Sequence, residues 1–245
     1  MRTLTSLSRR LLPDGTLLRN RLLGALPVAD YTRISKHLHM NTNVVGQPLH
    51  QDGARVTHVH FPNGGVFSVT NQMRDGQLVE VATVGREGML GIGVFFGDRS
   101  GTGQTFQQVP NGPLASMAVG RFVKESATAG PFREIVALYA QANLLQIMQC
   151  TACNALHHVQ ERCCRWLLQT QDRVESDEFV LKQEFLAVML GVHRPTVTQV
   201  MGRLQNAGLL SSRYGRIRVL NRRNLESASC ECYDVIRGHF ERLGL

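Results

Sequence analysis

The sequence predicts an α+β chain in three parts: an antiparallel β-roll, a long helix, and a C-terminal helical module closed by a β-hairpin. Three observations lead there. Residues 182–221 read as helix, break, helix and two short strands. Residues 131–170 place apolar side chains at an unbroken three- and four-residue spacing. Residues 56–117 run in short β-type stretches cut by Gly, Pro and Asn. With 245 residues, 43% of them hydrophobic, the chain has room for two cored domains and a connector.

In chain order, residues 1–21 read as a basic, partly disordered arm, and residues 22–38 as helical. Arg, Asp and Pro interrupt the first twenty residues where a signal peptide needs a continuous apolar stretch. No run approaches the roughly 20 apolar residues of a membrane span, so a cytoplasmic chain is expected. Residues 66–84, VFSVTNQMRDGQLVEVATV, place Asp75-Gly76 between two strand-like runs, which suits a two-residue hairpin turn. Val79, Val81 and Thr83 alternate as a half-buried strand requires. Gly85, Gly88, Gly91, Gly93, Gly97, Gly101 and Gly103 then crowd together. They contain no GxGxxG or Walker pattern and read equally as tight turns or as a ligand-cradling loop. Strand character resumes over residues 104–117, completing a β-roll within residues 22–130.

From 131 to 170 the period changes. Ile135, Leu138, Ala142, Leu145, Gln149, Ala152, Leu156, Val159, Cys163 and Trp166 follow coiled-coil spacing. One helix of that length would reach about 60 Å, and its narrow seam predicts pairing with a second copy. Gln149 is the polar seam position that sets register.

Residues 171–245 form the last part. Phe185, Leu186 and Met189 give a first helix one apolar face. Gly191-Val192-His193 breaks it, and Pro195 suits the first turn of the next helix, where its missing N–H costs nothing. Val197, Val200, Met201 and Leu204 make the buried face of that second helix; Arg194, Thr198, Gln199 and Arg203 point outward. Gly208 ends it, and residues 209–220 read as two strands around Tyr214-Gly215. This is a winged helix-turn-helix. Residues 182–223 carry eight Lys or Arg and one acid, 8 − 1 = +7, against +8 for the whole chain. Such concentration is the footprint of phosphate binding.

Catalysis finds no support, since no nucleophile elbow, HExxH or carboxylate pair occurs. Six cysteines are present. Cys150, Cys153, Cys163 and Cys164 lie on the predicted long helix, and Cys230 and Cys232 near the end; a reduced state is expected. On a straight helix the first two pairs stand about 15 Å apart, too far for one cluster, although a site across the seam through Cys163 stays open. Two cysteines alone seldom hold zinc. The pairs His37/His39, His58/His60 and His157/His158 lack the i, i+4 spacing of paired ligands. Neither metal nor cofactor is therefore expected.

The order of β-roll, long helix and winged helix-turn-helix resembles the CRP/FNR family of bacterial transcription regulators. Residues 153–174 (CNALHHVQERCCRWLLQTQDRV), the reading segment and residues 225–243 (LESASCECYDVIRGHFERL) carry the likeness. The resemblance implies a homodimer, with Leu138, Leu145, Gln149, Ala152, Leu156, Val159 and Cys163 at the dimer seam. It also implies a second helix in the major groove of near-palindromic duplex DNA, and contact with RNA polymerase. The family's Glu, Ser and Arg recognition positions hold Pro195, Thr198 and Gln199 here, so its common operator is not carried over. Arg194 is the first choice for a base or phosphate contact. Lys182, Thr196, Arg203, Arg213 and Arg216 are expected on phosphates. In cyclic-AMP-binding members a Glu holds the ribose, but Gly88-Met89-Leu90-Gly91 puts Met there. Arg99-Ser100 falls at the family's phosphate-binding spacing, whereas the base-contacting hydroxyl positions hold Ile147 and Met148. Standard cyclic-AMP recognition is not expected. The effector is either absent or another cyclic nucleotide or dinucleotide such as cyclic-di-GMP. Two alternatives are a redox- or nitric-oxide-responsive regulator with a metal cofactor on the long helix, and an adaptor whose winged helix binds protein.

Overall fold

The computed structural model describes residues 10–41, 45–101 and 103–245. Residues 1–9 of the expected N-terminal arm lie outside that range. Residues 10–20 are not a loose arm. Leu12 is buried, Leu11 pairs with Leu17, and the Arg10 guanidinium donates to the carbonyls of Gly24 and Leu26. The Asn20 side chain caps α1 (Arg21–Gly24) by accepting from Leu23 N–H, while its amide donates to the Pro62 and Gly88 carbonyls. Pro27, lacking an N–H, separates α1 from α2 (Val28–Ser35). The helical stretch expected over residues 22–38 is thus two short helices.

The roll consists of β1 (His39–Asn41), β2 (Pro48–His50), β3 (His58–Pro62), β4 (Val66–Gln72), β5 (Leu78–Val84), β6 (Gln104–Val109) and β7 (Leu114–Ala118). They form two antiparallel sheets, ordered β1-β7-β3 and β2-β6-β4-β5. The β4–β5 connection is longer than the two residues expected. Met73 N–H bonds to Gln77 O and Gly76 N–H to Met73 O, so Gly76 (φ 86°) closes the turn instead of sharing its centre with Asp75. The glycine-rich stretch folds into turns around a 3-10 helix (Ile92–Phe96). Val59, Phe61, Ala115 and Met117 on one sheet face pack against α1, α2 and two following helices, α3 (Val119–Ala127) and α4 (Pro131–Leu156).

The single helix expected over residues 131–170 is two. His157 and His158 are extended (ψ 148° and 151°), and α5 (Val159–Val174) restarts behind a capping box in which His158 N–H bonds the Glu161 carboxylate at 2.8 Å. Redirected at this break, α5 buries Cys163 and Trp166 in the core of the last module instead of extending a seam.

That module contains β8 (Glu178–Val180), α6 (Gln183–Leu190), α7 (Arg194–Asn206), β9 (Leu210–Arg213), β10 (Arg216–Val219), α8 (Arg222–Ser227) and α9 (Cys232–Arg242). The hairpin joins a third antiparallel sheet, β8-β10-β9, whose strand β8 the sequence expectation lacked. Tyr214 (φ 50°) and Gly215 (φ 73°) sit between paired Arg213 and Arg216, a two-residue turn with both centres left-handed. The module rests on the roll. The Phe185 and Phe106 rings lie 6.5 Å apart, and Ser68 Oγ is 3.0 Å from Met189 Sδ. The Trp166 indole N–H donates to Glu80 at 3.1 Å, and the Arg173–Glu87 ion pair (2.9 Å) is buried at the same junction.

Candidate nucleic-acid interface, sensory cavity and thiol cluster

The candidate reading face is built by α7. Val197, Val200, Met201 and Leu204 are buried against the module core, which turns Arg194, Thr198, Gln199 and Arg203 outward, with Thr196 half-buried. Thr198 Oγ1 donates to the Gln183 side chain at 3.0 Å and so braces α7 against α6. Gln205 accepts from Ser212 N–H at 2.8 Å, which pins α7 to the wing. Ile217 and Val219 of β10 face the core, and the alternation leaves Arg216 and Arg218 on the outer face. Glu178 pairs with both arginines at 3.3 and 3.0 Å, and Lys182 lies 3.7 Å from Glu184. Among the described residues, Arg194, Arg203 and Arg213 have no carboxylate partner and are exposed. Within the last module, exposed positive charge without a carboxylate partner therefore includes that at the start and outer face of α7, at the wing and at Arg223 of α8.

On α4, the expected seam residues Leu138, Ala152 and Leu156 are exposed and Leu145 is half-buried. The other seam residues turn inward. Gln149 donates to Cys232 Sγ at 3.0 Å, Val159 packs on the module core, and Cys163 is fully buried. The helix break accounts for the last two. Leu144 (58% exposed) and Met148 (60%) join the open apolar stripe, which ends at Leu156 (79%). Sequence reasoning missed them because a register through residues 137, 141, 144, 148, 151 and 155 has the same spacing as the one chosen.

Inside the roll lies a cavity of about 380 Å³ lined by residues including Val69, Val84, Leu90, Tyr139 and Ile147. Its titratable walls, apart from Tyr139, are His50 and Asp98; no Lys or Arg lines it among the described residues. Ser100 lines the cavity, while Arg99 is exposed and not part of the wall. Tyr139 OH donates to Met89 O at 2.9 Å, and a Cβ at Gly88 would clash with the edge of the Tyr139 ring at Cε2. Nearby, burial, with His50 and His58 adding to it, drives His60 down to about 3. It is thus neutral at physiological pH.

Four side chains held apart in the sequence come together at the α4–α5 break. Cys153 and His157 share a face of α4 one turn apart, and Cys230 and Cys232 arrive at the start of α9. Their ligand atoms all lie within 4.8 Å of one another. Hydrogen bonding from Cys230 holds the Cys153 thiol down at about 5, and the same bond raises Cys230. The i, i+4 pair Cys153/His157 was visible in the sequence; grouping histidines only with histidines hid it.

By sequence alone, no curated protein matches the chain. The sequence profile described as "Crp-like helix-turn-helix domain" matches residues 161–228. Similar solved structures include a CRP-family transcriptional regulator, TTHB099, from Thermus thermophilus (16% identity, 77% of this chain and 96% of that one, TM-score 0.64). FixK2 from Bradyrhizobium japonicum is similar at 13% identity, over 79% and 98% of the two chains, with a TM-score of 0.67. The c-di-GMP-responsive global regulator CLP of Xanthomonas campestris is similar at 17% identity, over 79% and 99%, with a TM-score of 0.63. Among the described residues no helix is long and apolar enough to cross a membrane. The chain carries a Crp-like helix-turn-helix domain within the overall fold of the CRP/FNR transcriptional regulators.

Proposed function

We propose that this protein is a homodimeric regulator that reads a near-palindromic duplex site through α7 and acts on RNA polymerase. The observation that carries the reading is the polarity of α7: one face locked into the core, the other presenting Arg194, Thr198, Gln199 and Arg203. Arg194 and Gln199 would read base edges, Arg favouring guanine and Gln adenine. Lys182, Thr196, Arg203, Arg213 and Arg216 would hold phosphates and set register. A second copy would cover the exposed stripe of Leu138, Leu144, Leu145, Met148, Ala152 and Leu156, spacing two α7 helices about 34 Å apart.

The sensory cavity supports a role without standard cyclic AMP. Met89 and Ile147 line it, where cyclic-AMP-binding members place a ribose-binding carboxylate and a base-contacting hydroxyl. Either the roll has no effector, or it takes another ligand, for which Arg99 and Ser100 remain candidates at the rim. CLP is described as c-di-GMP-responsive, which makes cyclic-di-GMP the first ligand to test. Selection of bound sites from random DNA, with and without cyclic AMP, cyclic GMP or cyclic-di-GMP, tests both halves. Enrichment of two half-sites about ten base pairs apart is expected. Recovery of unenriched sequence would remove the DNA-reading proposal, and micromolar cyclic-AMP affinity by calorimetry would remove the view of the cavity.

A further inference from the structure

We propose that Cys153, His157, Cys230 and Cys232 form a closed zinc site that ties the end of α4 to the start of α9. Three thiolates and one imidazole are a structural zinc donor set, and sulfur ligands disfavour hard cations such as magnesium or calcium. The spacing fits one ion. With Zn–S about 2.3 Å and Zn–N about 2.0 Å, the edges of a tetrahedron are about 3.8 Å between sulfurs and about 3.5 Å from sulfur to nitrogen. Cys153 and Cys230 Sγ lie 3.5 Å apart, and Cys232 Sγ lies 3.5 Å from His157 Nδ1. An iron–sulfur cluster interposes several irons and sulfides between its cysteines, so it would hold these ligands much farther apart than the 4.8 Å that contains them all.

The surroundings are those of a ligand set. His157 Nε2 lies 3.2 Å from the Glu231 carboxylate, so the ring has Nδ1 toward the thiols and Nε2–H toward an acid, the arrangement that orients metal-bound histidines. Gln149 donates to Cys232 Sγ at 3.0 Å. All three cysteines are buried. Arg162 and Arg165 lie within electrostatic range of Cys153 and Cys230 and would offset the single negative charge that three thiolates and Zn²⁺ leave. As each Zn–S bond forms, any proton still on that thiol passes to solvent. The ion would join residues that straddle the α4–α5 break, and so set the angle at which the DNA-reading module leaves the long helix.

The test uses full-length, untagged protein purified in reductant without chelator. One zinc per chain by mass spectrometry is expected. Exchange with cobalt should give the intense visible bands of a tetrahedral site and near-ultraviolet thiolate charge transfer. Cys153→Ser and Cys232→Ser should weaken cobalt binding on the order of 100-fold or more. His157→Cys should keep the metal with a four-thiolate spectrum, while His157→Ala loses it; this pair separates ligation from misfolding. Cys150→Ala, outside the ligand set, should keep full zinc. Metal-free wild type that takes up no cobalt would overturn the proposal. So would an iron chromophore in anaerobic protein, a Cys153–Cys230 disulfide surviving reductant, or full zinc in both serine variants. Every readout is made without DNA, so its failure leaves the DNA-reading proposal standing, and the reverse.

Discussion

Glu80 offers the sharpest test of how the roll and the last module are joined. It is buried between β5 and α5, where it accepts from the Ser68 hydroxyl and the Trp166 indole. Burial raises its carboxyl from 4.5 to about 7, while the Ser68 and Trp166 hydrogen bonds and the Arg165 and Arg173 charges of α5 pull the other way without prevailing. The folded chain therefore keeps a proton that the unfolded chain releases. The resulting stabilisation is complete below about pH 4.5 and is lost as pH rises through about 7. At about 1.4 kcal/mol per pH unit, the interval is worth about 3 kcal/mol.

Glu80→Gln keeps an acceptor for Trp166 but cannot ionise. Near pH 5, where wild type has already lost about 0.7 kcal/mol of that interval, the variant should lie within about 0.5 kcal/mol of wild type, an imperfect Ser68 bond costing about 1 kcal/mol. By pH 8 it should be more stable than wild type by about 2 kcal/mol, the 3 kcal/mol avoided less the 1 kcal/mol lost. The assay is urea unfolding at fixed protein concentration from pH 5 to 8, followed by fluorescence of Trp166, the only tryptophan in the chain. Taking the difference between the two pH profiles cancels every other titrating group. If the difference stayed flat, or if the variant were weaker by the same amount at both ends, the buried-acid argument would be wrong.

Arg194→Ala should cost about 1–3 kcal/mol of specific DNA binding, measured by fluorescence anisotropy at fixed salt. Lys182→Ala should weaken all sequences alike and lower the slope of log affinity against log salt by about 1. Leu144→Glu with Met148→Glu should give a helical monomer by sedimentation, with circular dichroism unchanged; a dimer of the double variant would contradict pairing through α4. Arg173→Leu strands the Glu87 carboxylate at a buried junction and should lower stability by about 3–5 kcal/mol in urea. A loss under 1 kcal/mol would mean that water enters there.

The β-roll and the helix-turn-helix with its wing were legible because their signals are local. Apolar residues at 3.6 spacing in α7 and at twofold spacing in β10 state which face is buried, and Tyr214-Gly215 states where the chain reverses. Local periodicity does not state what a face is buried against. In the sequence the stripe of α4 and α5 therefore reads as one seam. In the structure, Cys163 and Trp166 belong to the core of the last module, and Leu144 and Met148 lie on the open side. The helix break itself depends on a cap formed by His158 and Glu161, a few hydrogen bonds that the apolar pattern does not record.

What the chain order alone determined, then, is the β character of the roll, the two helices and wing of the last module, and the outward residues of α7, since neighbours within a turn or a hairpin decide them. Only tertiary packing decided that Glu80 meets Trp166 across 86 positions, and Cys153 meets Cys230 across 77. Such pairs arise when helices and sheets bury their faces together, and no spacing within one element encodes which distant partner it will meet.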